Sequence, residues 1–274
     1  MPELPEVETI RLTLLPQVKG CRIEGLTVLK GSLRQPVSTL RLKRHVVGHR
    51  VEEIERRGKF LIFRLDSPHV LVCHLGMTGR LRIEQSDAPP RPYDCLLFHL
   101  SGRKDLRYED KRRFGLVFCE RGEMLARNPS LRNIGPEPLS ESLPEHYLWM
   151  KARGRHLPVK NFLMDSRTIA GVGNIYANEA LFAGRVRPSR PVSRLSRQAF
   201  ARLTDSLRQI LRKAIEERGT SFSDYMDGDG KPGNFQVRLQ VYGREGEACS
   251  ICATPIRRIV QAGRSSFFCP HCQS

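Results

Sequence analysis

The residue with the most unusual chemistry stands second in the chain, within Met1-Pro2-Glu3-Leu4-Pro5-Glu6. Methionine before a small residue is normally trimmed, which leaves Pro2 as a terminal secondary amine. α-Amino groups titrate at about 7.7–8.0, so at neutral pH a useful fraction of such an amine is nucleophilic. Attack on the C1′ carbon of a sugar gives an iminium, the electron sink that glycosidic cleavage followed by β-elimination requires. Glu3, beside it, offers a carboxyl group that can move protons. The same residues also read as a plain helix start, with Pro5 at an early position and acids in the first turn. The rest of the chain decides between the two.

A second reactive set lies near the other end. Cys249, Cys252, Cys269 and Cys272 form two Cys-x2-Cys pairs with sixteen residues between them. Two such pairs on tight turns place four thiolates at the corners of a tetrahedron, the closed arrangement of a structural zinc ion, Zn2+. Two disulfides are the alternative, favoured only in an oxidising compartment. With four thiolates available His271 is a bystander, and no open position is left for chemistry on the metal. The spacer RRIVQAGRSSFF contains Arg257, Arg258 and Arg264, which a β-hairpin could present to phosphates, with a solvated basic face as the alternative for the first two. The remaining cysteines, Cys21, Cys73, Cys95 and Cys119, stand singly among apolar neighbours and read as buried, reduced and structural.

Gly171-Val172-Gly173-Asn174 begins like a dinucleotide fingerprint, but Tyr176 stands where the third glycine belongs, which excludes that reading. A glycine turn that opens a helix still directs backbone N–H groups outward toward a phosphate, and Asn174 adds a side-chain donor. Basic residues cluster at Arg56-Arg57-Gly58-Lys59 and at Lys111-Arg112-Arg113-Phe114. A charge run by itself is a solvated face; an aromatic directly after two arginines adds a wedge to phosphate or base contacts. Over the whole chain 46 Lys+Arg face 29 Asp+Glu, a net charge of +17. Such an excess fits a polyanionic partner, nucleic acid first and acidic membrane second. The sequence contains no apolar run long enough to span a membrane and does not start like a secretory signal. The expected location is therefore cytoplasmic, at the nucleoid in a bacterial cell.

These groups need elements to position them. Leu4, Val7, Ile10, Leu14 and Val18 share one face of a helix over 4–18, with Pro16 kinking or ending it and Gly20 closing it. Short alternating runs at 23–29, 46–54, 60–65, 69–74, 96–100 and 116–118 read as strands of an antiparallel sandwich, with a proline-rich loop at 84–94. Residues 126–145 hold four prolines and little periodicity. Beyond them lie a helix over 174–182 and a long one over 196–218. The latter carries Ala199, Leu203, Leu207, Ile210 and Ala214 on one face and ends at Gly219. The expected class is α+β. Its parts are an N-terminal domain over 2–125, a linker over 126–150, a helical domain over 151–240 that includes a glycine-rich loop at 219–234, and a cysteine module over 241–274.

Taken in order, PELPEVE, RRGKFL, HLGMTG, RRFG, NIGPEPL, GVGNIYANEALF, DGKPG, LQVYGR and the cysteine module resemble the bacterial formamidopyrimidine-DNA glycosylases, a family that includes endonuclease VIII. The resemblance spans essentially the whole chain. It implies an N-terminal β-sandwich with an N-terminal helix, a helix–two-turn–helix domain and a zinc-binding β-hairpin, with DNA held between the domains. It further implies Pro2 as nucleophile, Glu3 as proton donor, Lys59 for β-elimination, and Arg264 for δ-elimination or for holding phosphates. DNA contacts fall to His74, Tyr93, Arg112, Arg155, Lys160, Asn174 and Tyr242, joined by Arg258 of the hairpin. Met77, Arg112 and Phe114 match the residues that fill the gap left by an extruded nucleotide. The implied partner is double-stranded DNA containing oxidised bases or abasic sites, bound by a monomer without a membrane.

The chain departs from the family pattern at Lys111, where relatives usually have proline, at Tyr93, where many have histidine, and at Asn234, where an aromatic commonly follows KPG. PELPEVE resembles the oxidised-purine branch, whereas the pyrimidine branch typically begins PEGPE. Two alternatives stand beside an oxidised-purine glycosylase: an oxidised-pyrimidine glycosylase of the endonuclease VIII type, and a non-catalytic zinc-containing DNA-binding protein. Pro2, Glu3 and Lys59 together favour an enzyme, since binding alone does not need all three.

Overall fold

Helix α1 (Leu4–Val18) forms where its apolar spacing places it, with Leu4, Val7, Ile10, Leu14 and Val18 all buried. Pro16 lies inside the helix without ending it. Its missing N–H would have bonded the carbonyl of Leu12, on a side where that residue is 48 % exposed and water can take the bond. In this computed structural model the described residues are 1–144, 146–221 and 226–274.

After α1 come β1 (Ile23–Val28), helix α2 (Thr39–His45), β2 (Val51–Arg57), β3 (Phe60–Leu65), β4 (His69–His74), β5 (Gly79–Gln85), β6 (Asp94–Leu100), β7 (Lys104–Asp110) and β8 (Leu116–Arg121). They pair antiparallel into two four-stranded sheets, ordered β1-β6-β7-β5 and β2-β3-β4-β8. Side chains of both sheets and of α1 meet in one core, among them Ile10, Leu14, Phe63, Leu71, Phe98 and Tyr108. This is the expected sandwich, with two more strands than the sequence pattern showed.

The extra strands have a physical explanation. In β7 (KDLRYED) the polar residues are buried as well as the apolar ones: Asp105 and Arg107 are each 1 % exposed. Arg107 pairs with Asp105 at 3.0 Å and reaches the carbonyls of Gln85, Ala88 and Pro89, so it fastens the loop before β6 to the sheet. Alternation of apolar and polar residues does not reveal a strand whose charged residues face inward. The region 46–54 is extended only from Val51; Val46 caps α2, and Gly48 turns the chain at φ +90°.

Contacts divide the described chain into two units, Met1–Arg132 with Glu217–Asn234, and Asn133–Glu216 with Phe235–Ser274. The glycine-rich loop thus associates with the sandwich rather than with the helices it follows in sequence. The Thr220 N–H donates to Glu6 Oε1 at 2.8 Å and the Gly228 N–H to Thr13 Oγ1 at 2.9 Å, both on α1. Residues 222–225 of that loop lie outside the described residues.

The second unit contains α3 (Tyr147–Ala152), α4 (Val159–Met164), α5 (Asn174–Ala183), α6 (Arg197–Glu216) and the hairpin β9 (Arg257–Gln261)–β10 (Arg264–Phe268). Much of the expected linker is packed structure. Arg208 on α6 bonds the carbonyls of Pro138 and Leu143, and a side chain at Gly135 would lie 2.6 Å from the Thr168 carbonyl.

Candidate active site and nucleic-acid interface

Pro2 is buried at the head of α1, and Glu3, 2 % exposed, is the residue that caps the helix. Glu3 and Glu6 form a reciprocal capping box, with the Glu3 N–H on Glu6 Oε2 at 2.8 Å. The other Glu6 oxygen takes the Thr220 N–H at 2.8 Å. Glu6 is as buried as Glu3, yet in the sequence it read only as a first-turn acid, because its partner lies more than two hundred residues away. Gly219 is required beside it: φ is +81°, and a Cβ there would stand 2.8 Å from Glu6 Oε1.

Lys59 occupies the two-residue turn between β2 and β3, after Gly58 at φ +56°. Register pairs Phe60 with His74, their rings 4.7 Å apart, and this brings Lys59 toward His74. Burial, then the positive charges of Lys59 and Arg34, push the His74 imidazole down to about 4. The Gly76 N–H donates to His74 Nδ1 at 3.0 Å, so the neutral ring keeps its proton on Nε2 and can offer it to an anion. Arg34, exposed, with its N–H on the Gly115 carbonyl at 3.1 Å, was missed in the sequence. A single arginine between loop residues carries no signal.

The expected wedge is built on two adjoining loops. Asp110, 1 % exposed, accepts the Thr78 hydroxyl at 2.6 Å and the Gly115 N–H at 2.8 Å, and Thr78 Oγ1 accepts the Arg112 N–H at 3.0 Å. Gly76 lets the loops close on each other, for a Cβ there would lie 2.5 Å from the Phe114 backbone. On this rigid base Met77 and Phe114 are 41 % and 46 % exposed, and the Arg112 guanidinium lies 4.8 Å from the Phe114 ring centre. Tyr93, also exposed, precedes β6.

In the second unit α5 orients several groups at once. Asn174 is its first residue, after Gly173. Asn178 accepts the Phe267 N–H of the hairpin at 2.7 Å, and Glu179 accepts the N–H groups of Gln240, Val241 and Tyr242 at 2.8–3.0 Å. Burial raises the Glu179 carboxyl above its ordinary range against the pull of those three donors. The Tyr242 ring packs edge-on against Phe267 at 5.2 Å. Ala262 and Gly263, both at positive φ, make the two-residue turn after which Arg264 projects, exposed. Arg258 bonds Ser265 Oγ at 2.9 Å, and half-buried Arg155 lies over Phe162 at 5.8 Å.

Lys160, expected at a phosphate, is 1 % exposed, and its ammonium donates to the Ser265 carbonyl at 2.6 Å and to Ser266 Oγ at 2.7 Å, bonds that fasten α4 to the hairpin beside Arg264.

The four Sγ atoms of Cys249, Cys252, Cys269 and Cys272 lie within 4.8 Å of one another. Zn–S bonds of about 2.3 Å place neighbouring sulfurs roughly 3.8 Å apart, and the separations of 3.9, 3.5 and 3.4 Å among them fit that tetrahedron. Of the isolated cysteines, Cys73, Cys95 and Cys119 are buried and Cys21 is half-buried.

Three family models match the chain in order: the formamidopyrimidine-DNA glycosylase N-terminal domain over residues 1–117, the formamidopyrimidine-DNA glycosylase H2TH domain over 134–225, and the zinc finger found in FPG and IleRS over 246–274. The chain belongs to the formamidopyrimidine-DNA glycosylase family. A formamidopyrimidine-DNA glycosylase of Thioalkalivibrio sulfidiphilus is 43 % identical over 273 residues, covering both chains fully. The MutM (FPG) protein of Thermus thermophilus has a solved structure that is 43 % identical, with TM-score 0.89 over 99 % of this chain and 98 % of its own. The Lactococcus lactis FPG (MutM), solved in complex with DNA containing Fapy-dG, is 34 % identical, with TM-score 0.91 over 99 % of this chain and 100 % of its own. The cysteine module of this glycosylase is accordingly a zinc finger, with four thiolates that fit one zinc ion.

Proposed function

We propose that this DNA-repair glycosylase is bifunctional: it excises oxidised purines, 8-oxoguanine and formamidopyrimidines, from duplex DNA and then cleaves the strand at the abasic site. Family membership makes it a DNA glycosylase. The observation that carries the finer reading is Pro2 at the buried head of α1, beside a Glu3 whose backbone is held by Glu6. Once Met1 is removed, the Pro2 amide nitrogen becomes a secondary amine. It attacks C1′ while Glu3 supplies the proton that lets the sugar ring open and the base depart, leaving an iminium. Lys59 serves removal of the C2′ proton, which expels the 3′ phosphate by β-elimination. Arg264 serves the second elimination or holds the phosphates.

Neutral His74 donates Nε2–H to a phosphate without needing protonation, and Asn174, Tyr242, Arg258 and Arg155 supply further donors. When bound, zinc fixes the hairpin turn that carries Arg264 and performs no chemistry. Met77, Arg112 and Phe114 occupy the space vacated by the flipped nucleotide. The protein works on DNA as a monomer in the cytoplasm. Strand cleavage on a panel of duplexes, each with one lesion, tests the reading: 8-oxoguanine and formamidopyrimidine duplexes should be cut faster than oxidised-pyrimidine ones. The reverse order would assign the enzyme to the pyrimidine branch.

A further inference from the structure

The glycine-rich loop returns twice to the helix that begins beside Pro2. Its near limb meets the head of α1, where the Thr220 N–H sits on Glu6. Its far limb meets α1 about two turns further on, where the Gly228 N–H donates to Thr13 Oγ1 at 2.9 Å and Gln17 Nε2 to Asp229 Oδ1 at 3.1 Å. The seat is tight, for a Cβ at Gly228 would stand 2.7 Å from Thr13 Oγ1. Within the far limb, buried Asp227 closes a turn by accepting the N–H groups of Asp229 and Lys231 on Oδ1, each at 2.9 Å. Its Oδ2 takes Arg218 Nε at 2.7 Å, and the same guanidinium donates to Asp229 Oδ2 at 2.9 Å. Arg218 thus joins the two limbs. It does so at φ +61°, in the left-handed region that glycine adopts freely and arginine only with strain. The turn also borders a cavity of about 500 Å³ lined by Gln17, Arg80 and Ile83, so packing does not fix it on that side.

We propose that the clasp of Arg218 with Asp227 and Asp229 is a specificity-determining positioning element of the base-excision step. The inference rests on the reading above, in which Pro2 attacks C1′. A base released from C1′ departs at the head of α1. The near limb is fixed there by Glu6, whose other oxygen holds the Glu3 N–H. Where the loop starts and where it returns to α1 therefore set how closely the protein surrounds that base. The guanidinium bonds to two carboxylates are charge-assisted and stronger than the hydroxyl contact at Thr13. Without them the far limb keeps only its contacts to Thr13 and Gln17 on α1 and can leave its seat. A glycine at position 218 would relieve the strain and keep the turn, but it would lose the connection between the limbs. An abasic site presents no base to surround, so the steps on the sugar do not depend on the clasp.

The test compares the parent with Arg218→Gly, which suits the backbone conformation, and with Asp227→Asn, which keeps the acceptor for two N–H groups and loses the charge. Single-turnover excision is measured on duplexes carrying 8-oxoguanine, a formamidopyrimidine or an oxidised pyrimidine, and strand cleavage on a preformed abasic site. Both variants should excise 8-oxoguanine about 3- to 10-fold more slowly, the scale of one charge-assisted bond, and should discriminate less among the three bases. Cleavage at the abasic site should keep the parent's rate, and Arg218→Lys should recover part of the loss. Hydrogen exchange at the Gly228, Asp229 and Lys231 N–H groups should quicken in Arg218→Gly. An unchanged preference among bases overturns the proposal, as does an equal loss on the abasic site, which would make the clasp a support of the fold alone. Unchanged exchange overturns it too. If the parent itself excises no oxidised base, the repair reading falls, while exchange still decides whether Arg218 holds the limb.

Discussion

The ammonium of Lys160 lies 2.6 Å from the carbonyl of Ser265, the residue directly after Arg264. A second bond, to Ser266 Oγ at 2.7 Å, and the Ser266–Gln261 bond at 2.7 Å tie both strands of the hairpin to α4. Lys160→Met leaves the Ser265 carbonyl short of a donor, a loss of about 1–3 kcal/mol. The hairpin should loosen, and strand-cleavage products should shift from δ- toward β-elimination. The salt slope of DNA binding should stay at the parent's value, whereas Arg155→Ala should lower it by about one. A unit drop in the Lys160 variant would make it a phosphate contact.

Lys160 also shows where sequence reading stops. The helix over 4–18, most strands and the cysteine pairs were legible because each is specified locally, by apolar spacing or by ligand spacing. β7 was hidden by the inward-facing Asp105 and Arg107, and α2 by its brevity. Among the candidate site residues, type and motif singled out Pro2, which is buried, and Arg112 and Arg264, which are exposed. Whether a cation faces DNA or a carbonyl is decided by the partners the fold brings to it, which for Lys160 lie more than a hundred residues away. Glu6 with Thr220, and Arg34 with Gly115, were invisible for the same reason.

Borohydride added during turnover should trap a protein–DNA adduct, and peptide mapping should locate it at Pro2. The amide nitrogen of a chain that keeps Met1 cannot form the iminium, so Met1-retaining protein should give no adduct. An adduct at Lys59 would move the nucleophile to the β2–β3 turn.

The zinc finger should be separable from the sandwich. Cys269→Ser removes one of four thiolates, and metal binding in such modules is folding energy. DNA affinity should drop sharply as the turn presenting Arg264 loses its support, while hydrogen-exchange protection across residues 2–120 should change little. Full activity in a metal-free preparation would exclude this role.

His74 predicts a pH dependence with a definite sign. Its imidazole falls from 6.5 to about 4 in the folded protein, through burial and then the charges of Lys59 and Arg34. Below about 6.5 the unfolded chain takes up a proton that the folded one refuses, so stability falls as pH drops from that value toward 4. The contribution is on the order of 1–3 kcal/mol for this half-buried ring. Urea midpoints measured from pH 7 to pH 4 should fall less steeply for His74→Gln than for the parent; identical curves would place the ring in free exchange with solvent.

The Arg112–Phe114 pair leads to a preference for the base opposite the lesion. A base attacked at C1′ must leave the stack, and the vacancy must be filled. Met77 and Phe114 offer apolar bodies for this, exposed by 41 % and 46 % on a base fixed by Asp110 and Thr78. The Arg112 guanidinium, 4.8 Å from the Phe114 ring centre, carries only donors. An unpaired cytosine presents O2 and N3 as adjacent acceptors that suit it, whereas adenine presents its amino donor beside N1. Excision of 8-oxoguanine should therefore be faster opposite cytosine than opposite adenine, by roughly 5- to 150-fold if the contact contributes about 1–3 kcal/mol. Arg112→Ala should lose most of that ratio yet keep cleavage at a preformed abasic site, where no base has to be recognised. Phe114→Ala should lower excision opposite both bases and leave the ratio nearer the parent's, since the ring fills space without reading an edge. If Arg112→Ala keeps the parent's ratio, the opposite base is read by another group, and Arg112 serves the backbone instead.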